Sequence, residues 1–106
     1  MNEKILLVDD ETLLLDSLRR ELSLQHYNID TAVSGSDGLE KIADNGPYAV
    51  IVSDLRMPKM DGIKFLSQVM EIAPDTVRIL LTDSTAKRIG QNISEMHSPH
   101  LARNLI

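Results

Sequence analysis

The chain has 106 residues, 42% of them apolar and 25% charged, and a formal net charge of −5. That length admits one domain, spanning residues 1–106, and the composition excludes a disordered chain. Zero cysteines exclude disulfides and thiolate chemistry, and no apolar run approaches the ~18 residues of a membrane span, which makes a reducing cytoplasm the expected compartment.

From the N-terminus, the apolar run Ile5 to Val8 ends directly in Asp9-Asp10-Glu11, a pattern that predicts a strand and not a signal peptide. Helical spacing follows at Leu14, Leu18 and Leu22. A second strand is expected over Ile29 to Val33; after Gly35 and Gly38 comes a second helix carrying Leu39, Ile42 and Ala43. Asn45-Gly46-Pro47 ends that helix, Ala49 to Ser53 forms the third strand, and Asp61-Gly62 opens a third helix on Phe65, Leu66, Val69 and Met70. Pro74 closes it, Val77 to Leu81 is the fourth strand, and Ala86, Ile89, Ile93 and Met96 have the spacing of a fourth helix.

Strands alternating with helices, several of them near-continuous apolar runs, predict an α/β protein with a parallel sheet covered on both faces. The strand starts are spaced 24, 20 and 28 residues apart. Five such units would need roughly 125 residues, and only 30 remain from Val77 onward. The last βα unit is therefore expected to be truncated or atypical. Charge divides the same way: residues 1–82 carry 8 basic against 14 acidic side chains, whereas 83–106 carry 3 basic against 2 acidic. An acidic body with three aromatics, Tyr27, Tyr48 and Phe65, argues against direct nucleic-acid binding.

In an open parallel sheet, functional groups gather beyond the carboxyl ends of the strands, where strand order reverses. The first strand ends in Asp9-Asp10-Glu11, the third in Ser53-Asp54 and the fourth in Thr82-Asp83. With a strand order 2-1-3-4, Asp9, Asp10 and Asp54 converge. Unit charges 4 Å apart repel by about 4 kcal/mol at an effective dielectric of 20, so such a cluster calls for a cation, a shared proton or a shifted pKa. Carboxylates with room for water match the ligand preference of Mg²⁺, and a carboxylate facing the open side can attack phosphorus to form an acyl phosphate. Thr82 could donate its hydroxyl to a phosphoryl oxygen. The plainer alternative is that Asp10 or Glu11 favours the start of the first helix, and that Pro58 and Asp61 merely turn and cap the loop Asp54–Gly62.

The segments Lys4-Ile5-Leu6-Leu7-Val8-Asp9-Asp10-Glu11, Val50 through Asp54-Leu55-Arg56-Met57-Pro58-Lys59-Met60-Asp61-Gly62, and Arg78-Ile79-Leu80-Leu81-Thr82 together resemble the receiver domain of bacterial two-component response regulators. That family has a flavodoxin-like, doubly wound sheet of order 2-1-3-4-5, from which the strand order used above is taken. The resemblance implies that Asp54 is the phosphoacceptor, served by a sensor histidine kinase or phosphotransfer protein. It implies Mg²⁺ bound directly by Asp10, Asp54 and the main-chain carbonyl of Arg56, with Asp9 acting through water, and Thr82 as the switch hydroxyl. The first helix, from about Thr12, would be a kinase-docking face. Such a protein is a signalling switch that catalyses its own phosphorylation, not a turnover enzyme, and its output partner is not legible in the sequence.

Residues 1–82 fit this pattern and 83–106 depart from it. Asp83 adds a carboxylate where the family usually has a small residue. His100-Leu101-Ala102-Arg103-Asn104 can be laid over the family's aromatic-x-x-Lys-Pro, which puts Arg103 in place of the phosphate-binding lysine, although a planar guanidinium differs from a compact ammonium. Two alternatives stay open: a degenerate receiver acting as a protein-interaction module, and a small phosphohydrolase using Asp9 with Glu11 as its acid. A sheet without its last helix would also leave an apolar face that a second copy of the chain could cover as a homodimer.

Overall fold

The computed structural model describes residues 3–82. In chain order these form β1 (Lys4–Val8), α1 (Thr12–Ser23), β2 (Asn28–Ala32), α2 (Gly35–Asn45), β3 (Val50–Asp54), α3 (Gly62–Ile72) and β4 (Val77–Leu81). All strand pairs are parallel, in the order β2-β1-β3-β4. This is the doubly wound, flavodoxin-like arrangement, and it places the topological switch between β1 and β3. The expected fourth helix and everything else within 83–106 lie outside the described residues.

Alternation along the strands divides the core into two layers. Ile5, Leu7, Ile29, Val52 and Leu81 face α1 and pack on Leu15, Leu18 and Leu22. Leu6, Val8, Ala32, Ile51 and Leu80 face the other way, onto Phe65, Leu66 and Val69 of α3, with Leu39 and Ile42 of α2 packed alongside. The buried stripe of α1 thus runs through Leu15 and not, as the spacing predicts, Leu14, which is only partly buried. Met70, expected on the buried face of α3, is 43% exposed, because Phe65, Leu66 and Val69 already fill the contact with the sheet.

Two strands sit one residue away from their expected places, for identifiable reasons. Val33 leaves β2 because its N–H is taken by the Asp37 carboxylate at 3.1 Å. Asp54 stays in β3 because its backbone pairs in register with Leu81. Gly35 and Gly38, expected before the second helix, lie in its first turn: Ser34 is the N-cap and accepts from the Asp37 N–H at 3.0 Å. Asp61 caps α3 as expected, its carboxylate accepting from Lys64 N–H at 2.8 Å.

The edge of the sheet remote from the acids is stitched by polar contacts. Tyr48 is buried and donates its hydroxyl to Asp30 at 2.6 Å, and its carbonyl accepts from the Thr76 hydroxyl at 2.7 Å. Lys4 lies 5.2 Å from the centre of the Tyr48 ring and donates to the Asn45 carbonyl. Buried Arg78 donates to the carbonyls of Pro74 and Thr76. These contacts fix the strand starts and leave the opposite, carboxyl edge free for chemistry.

Candidate metal and phosphoacceptor site

Asp9 follows β1 directly. Its N–H continues the ladder by donating to Ala32 O at 3.1 Å, and its carboxylate accepts from Glu11 N–H at 2.9 Å. The residue is 5% exposed. Burial, reinforced by the charges of Asp54, Asp10 and Glu11, pushes its pKa up to about 6 despite the Glu11 hydrogen bond. Asp10, next in the chain, is exposed. Asp54 is the last residue of β3, and because β3 pairs beside β1 its carboxylate arrives next to theirs. Burial raises its pKa as well; the charges of Asp10 and Glu11 add to the rise, and the backbone N–H groups of Leu55 and Arg56 oppose it.

Asp9, Asp10 and Asp54 each offer a carboxylate oxygen, and the three oxygens lie within 4.8 Å of one another. Oxygens across an octahedron of about 2.1 Å radius are about 4.2 Å apart, so the span suits a small hard cation with water completing the shell. The donor set fits too: three clustered carboxylates with no thiol or imidazole among them. The predicted trio is therefore brought together. Glu11, which the sequence offered as a helix-start acid or as the acid of a phosphohydrolase, contributes charge to both Asp9 and Asp54. It occupies the N-cap position of α1 without a side-chain capping bond.

Thr82 follows β4, whose last residue Leu81 is in register with Asp54, and it is exposed. Arg56 is exposed in the loop that leaves β3. That loop is held at both ends: Leu55 N–H donates to Leu81 O at 2.9 Å, and Gly62 N–H donates back to Leu55 O at 2.8 Å. Asp83 and Arg103 lie outside the described residues.

Gly62 is the residue whose importance the sequence understates. A Cβ built on it would stand 2.2 Å from the Asp54 carbonyl oxygen and 2.7 Å from Leu80 Cδ1. The start of α3 therefore rests directly on the backbone of Asp54, an approach open only to glycine. In the sequence, Asp61-Gly62 reads merely as a turn before a helix.

Comparison with known proteins agrees with this geometry. Residues 5–98 match the model of the response regulator receiver domain. The chain is 37% identical over 92 residues to the response regulator MprA of Mycobacterium sp. strain KMS, covering 85% of this chain and 40% of that protein. It thus spans about two fifths of the length of the curated relatives it matches. Among solved structures, the response regulator TrrA of Thermotoga maritima in complex with Mg²⁺-BeF superposes with a TM-score of 0.71 at 31% identity, covering 89% of this chain and 79% of that one. A receiver domain protein of Clostridium thermocellum gives a TM-score of 0.72 at 28% identity, covering 88% and 75%. With the sheet order, the acidic trio and these matches in agreement, the chain belongs to the response regulator receiver domains, the phosphorelay modules of two-component signalling.

Proposed function

We propose that this chain accepts a phosphoryl group on Asp54 from a phosphohistidine of a sensor kinase or phosphotransfer protein, with Mg²⁺ as cofactor. The observation that carries this reading is the meeting of the Asp9, Asp10 and Asp54 oxygens within 4.8 Å. The residues that would hold the ion are Asp10 and Asp54 directly, with the main-chain carbonyl of Arg56, and Asp9 through water. Bound there, Mg²⁺ would neutralise charge on the transferring phosphoryl oxygens.

The chain's own residues supply the rest. An Asp54 carboxylate oxygen forms the new O–P bond as the P–N bond to the donor imidazole breaks, and the imidazole keeps the bonding pair and takes up a proton. The Leu55 and Arg56 N–H groups oppose the rise that burial imposes on the Asp54 pKa and so favour the ionised carboxylate, the form that attacks. Gly62, pressed against the Asp54 backbone, fixes where the main chain of Asp54 lies against the start of α3. Thr82, one residue beyond the Leu81 that pairs with Asp54, would move to donate its hydroxyl to a phosphoryl oxygen, and that movement would be the switch. Such a protein transfers once per donor encounter and is not a turnover enzyme. Its working compartment would be the cytoplasm; among the described residues no helix is long and apolar enough to cross a membrane.

A second reading, a degenerate receiver that only binds other proteins, is favoured by Asp83, whose extra negative charge follows Thr82 in the sequence. One experiment separates the two. The protein and Asp54→Asn are incubated with acetyl phosphate and Mg²⁺ and weighed intact. One phosphoryl adduct, acid-stable, base-labile and absent from Asp54→Asn, is the expected result. No adduct with any small phosphodonor supports the degenerate receiver, and continuous consumption of donor would point to a phosphohydrolase.

A further inference from the structure

The loop between β3 and α3 contains a strained turn. Met60 N–H donates to Pro58 O at 2.7 Å, closing a three-residue ring about Lys59, whose φ is +70°. A γ-turn with positive φ is rare, and a lysine there is strained where a glycine would not be. Strain of this kind persists only where the surroundings hold it.

The holding contact is visible on α2. A Cβ built on Gly35 would stand 2.5 Å from Met60 Sδ, 3.1 Å from its Cγ and 3.2 Å from its Cβ. The φ of Gly35 is not positive, so glycine is required there for space and not for conformation. Its missing side chain makes a notch in the first turn of α2, and the Met60 thioether fills it. At the far end of the same loop, Gly62 rests on the Asp54 carbonyl. At its near end, the Leu55 and Arg56 amides face the Asp54 carboxylate. The strained turn thus lies between the acidic cluster and a side chain anchored on a different helix.

We infer that Met60 is a positioning residue: seated in the Gly35 notch, it holds the Lys59 turn in its strained form and thereby keeps the Leu55 and Arg56 amides against the Asp54 carboxylate of the acidic cluster. This inference rests on the proposed Mg²⁺ site. The plainer role for Met60 is space-filling, since it also packs beside the Phe65 layer of the core. The two roles differ in what they predict for Lys59. A space-filling methionine has no dealings with strain at its neighbour, whereas a latch becomes dispensable once the strain is gone.

The test uses the whole chain and the variants Met60→Ala, Gly35→Ala, their double, and Lys59→Gly alone and combined with Met60→Ala. Mg²⁺ affinity is read by calorimetry, and order in the loop by hydrogen exchange of the Met60 and Gly62 amides without metal. Met60→Ala is expected to weaken Mg²⁺ binding by roughly tenfold, the low end for supports outside a metal's own ligands, and to speed exchange at both amides. Gly35→Ala acts in the same direction but less, because the far end of a flexible side chain can yield. The double variant is no worse than Met60→Ala alone, since both changes act on one contact. Lys59→Gly restores most of the affinity lost in Met60→Ala. Unchanged exchange in Met60→Ala, or additive losses without rescue by Lys59→Gly, would overturn the latch. A wild-type chain that binds no Mg²⁺ overturns the metal reading instead, and amide exchange alone then decides the latch.

Discussion

Asp9 carries two opposed effects. Without a cation it is a buried acid among other acids, and its pKa of about 6 stands above the ordinary 3.8. A carboxyl that binds its proton more tightly when folded stabilises the fold where it is protonated and loses that contribution as pH rises between the unfolded and folded values. The metal-free protein should therefore lose stability from about pH 4 to about pH 6, by roughly 1 to 3 kcal/mol, in denaturant titrations with chelator present. Asp9→Asn keeps an acceptor for the Glu11 N–H and removes the charge. It should raise the melting temperature of the metal-free protein at pH 7 while reducing the further rise on adding Mg²⁺. A fall in the metal-free melting temperature would contradict the burial account.

Gly62 gives a test of opposite sign from ordinary expectation. Gly→Ala in a helix usually stabilises by about 0.4–1 kcal/mol. Here the added Cβ meets the Asp54 carbonyl oxygen at 2.2 Å, so Gly62→Ala should destabilise by about 1–3 kcal/mol, the range for overpacking. Urea denaturation reads the sign directly.

At the scale of elements, the helices that frame the site start in different ways. α2 and α3 are capped by Ser34 and Asp61, whereas α1 begins at Glu11 without a side-chain bond. Asp61→Ala should cost about 1 kcal/mol in chemical denaturation and loosen the start of the helix that rests on Asp54. Glu11→Ala removes no side-chain cap and relieves charge at Asp9 and Asp54, so it should cost less than Asp61→Ala. Periodicity made these elements legible, because an apolar run followed directly by acids fixes where β1 ends, while β3 runs one residue further than its expected end at Ser53, to Asp54. It misplaced β2 by one residue because the Val33 amide goes to Asp37, a side-chain competition that apolar spacing does not register. It also put Met70 in the core, because helical spacing does not tell how wide a face the sheet can cover.

For the whole molecule, the convergence of Asp9, Asp10 and Asp54 could be anticipated from the sequence once a strand order was adopted, since each acid lies at or just beyond the carboxyl end of β1 or β3, which the switch point brings together. The backbone approaches of Gly62 to Asp54 and of Gly35 to Met60 could not, because they depend on how α3 and α2 lie on the sheet. A ligand that binds only the folded state stabilises it by about 1.4 kcal/mol at ten times its Kd, so Mg²⁺ should raise the melting temperature of the wild type and not that of Asp54→Asn. The most direct measurement locates the phosphoryl group itself. After incubation with acetyl phosphate and Mg²⁺, borohydride reduces an acyl phosphate to the alcohol, and peptide mass spectrometry finds where it formed. Homoserine at position 54 alone is the predicted result; homoserine at position 9 or 10, or at no position, would contradict the assignment of Asp54 as the acceptor.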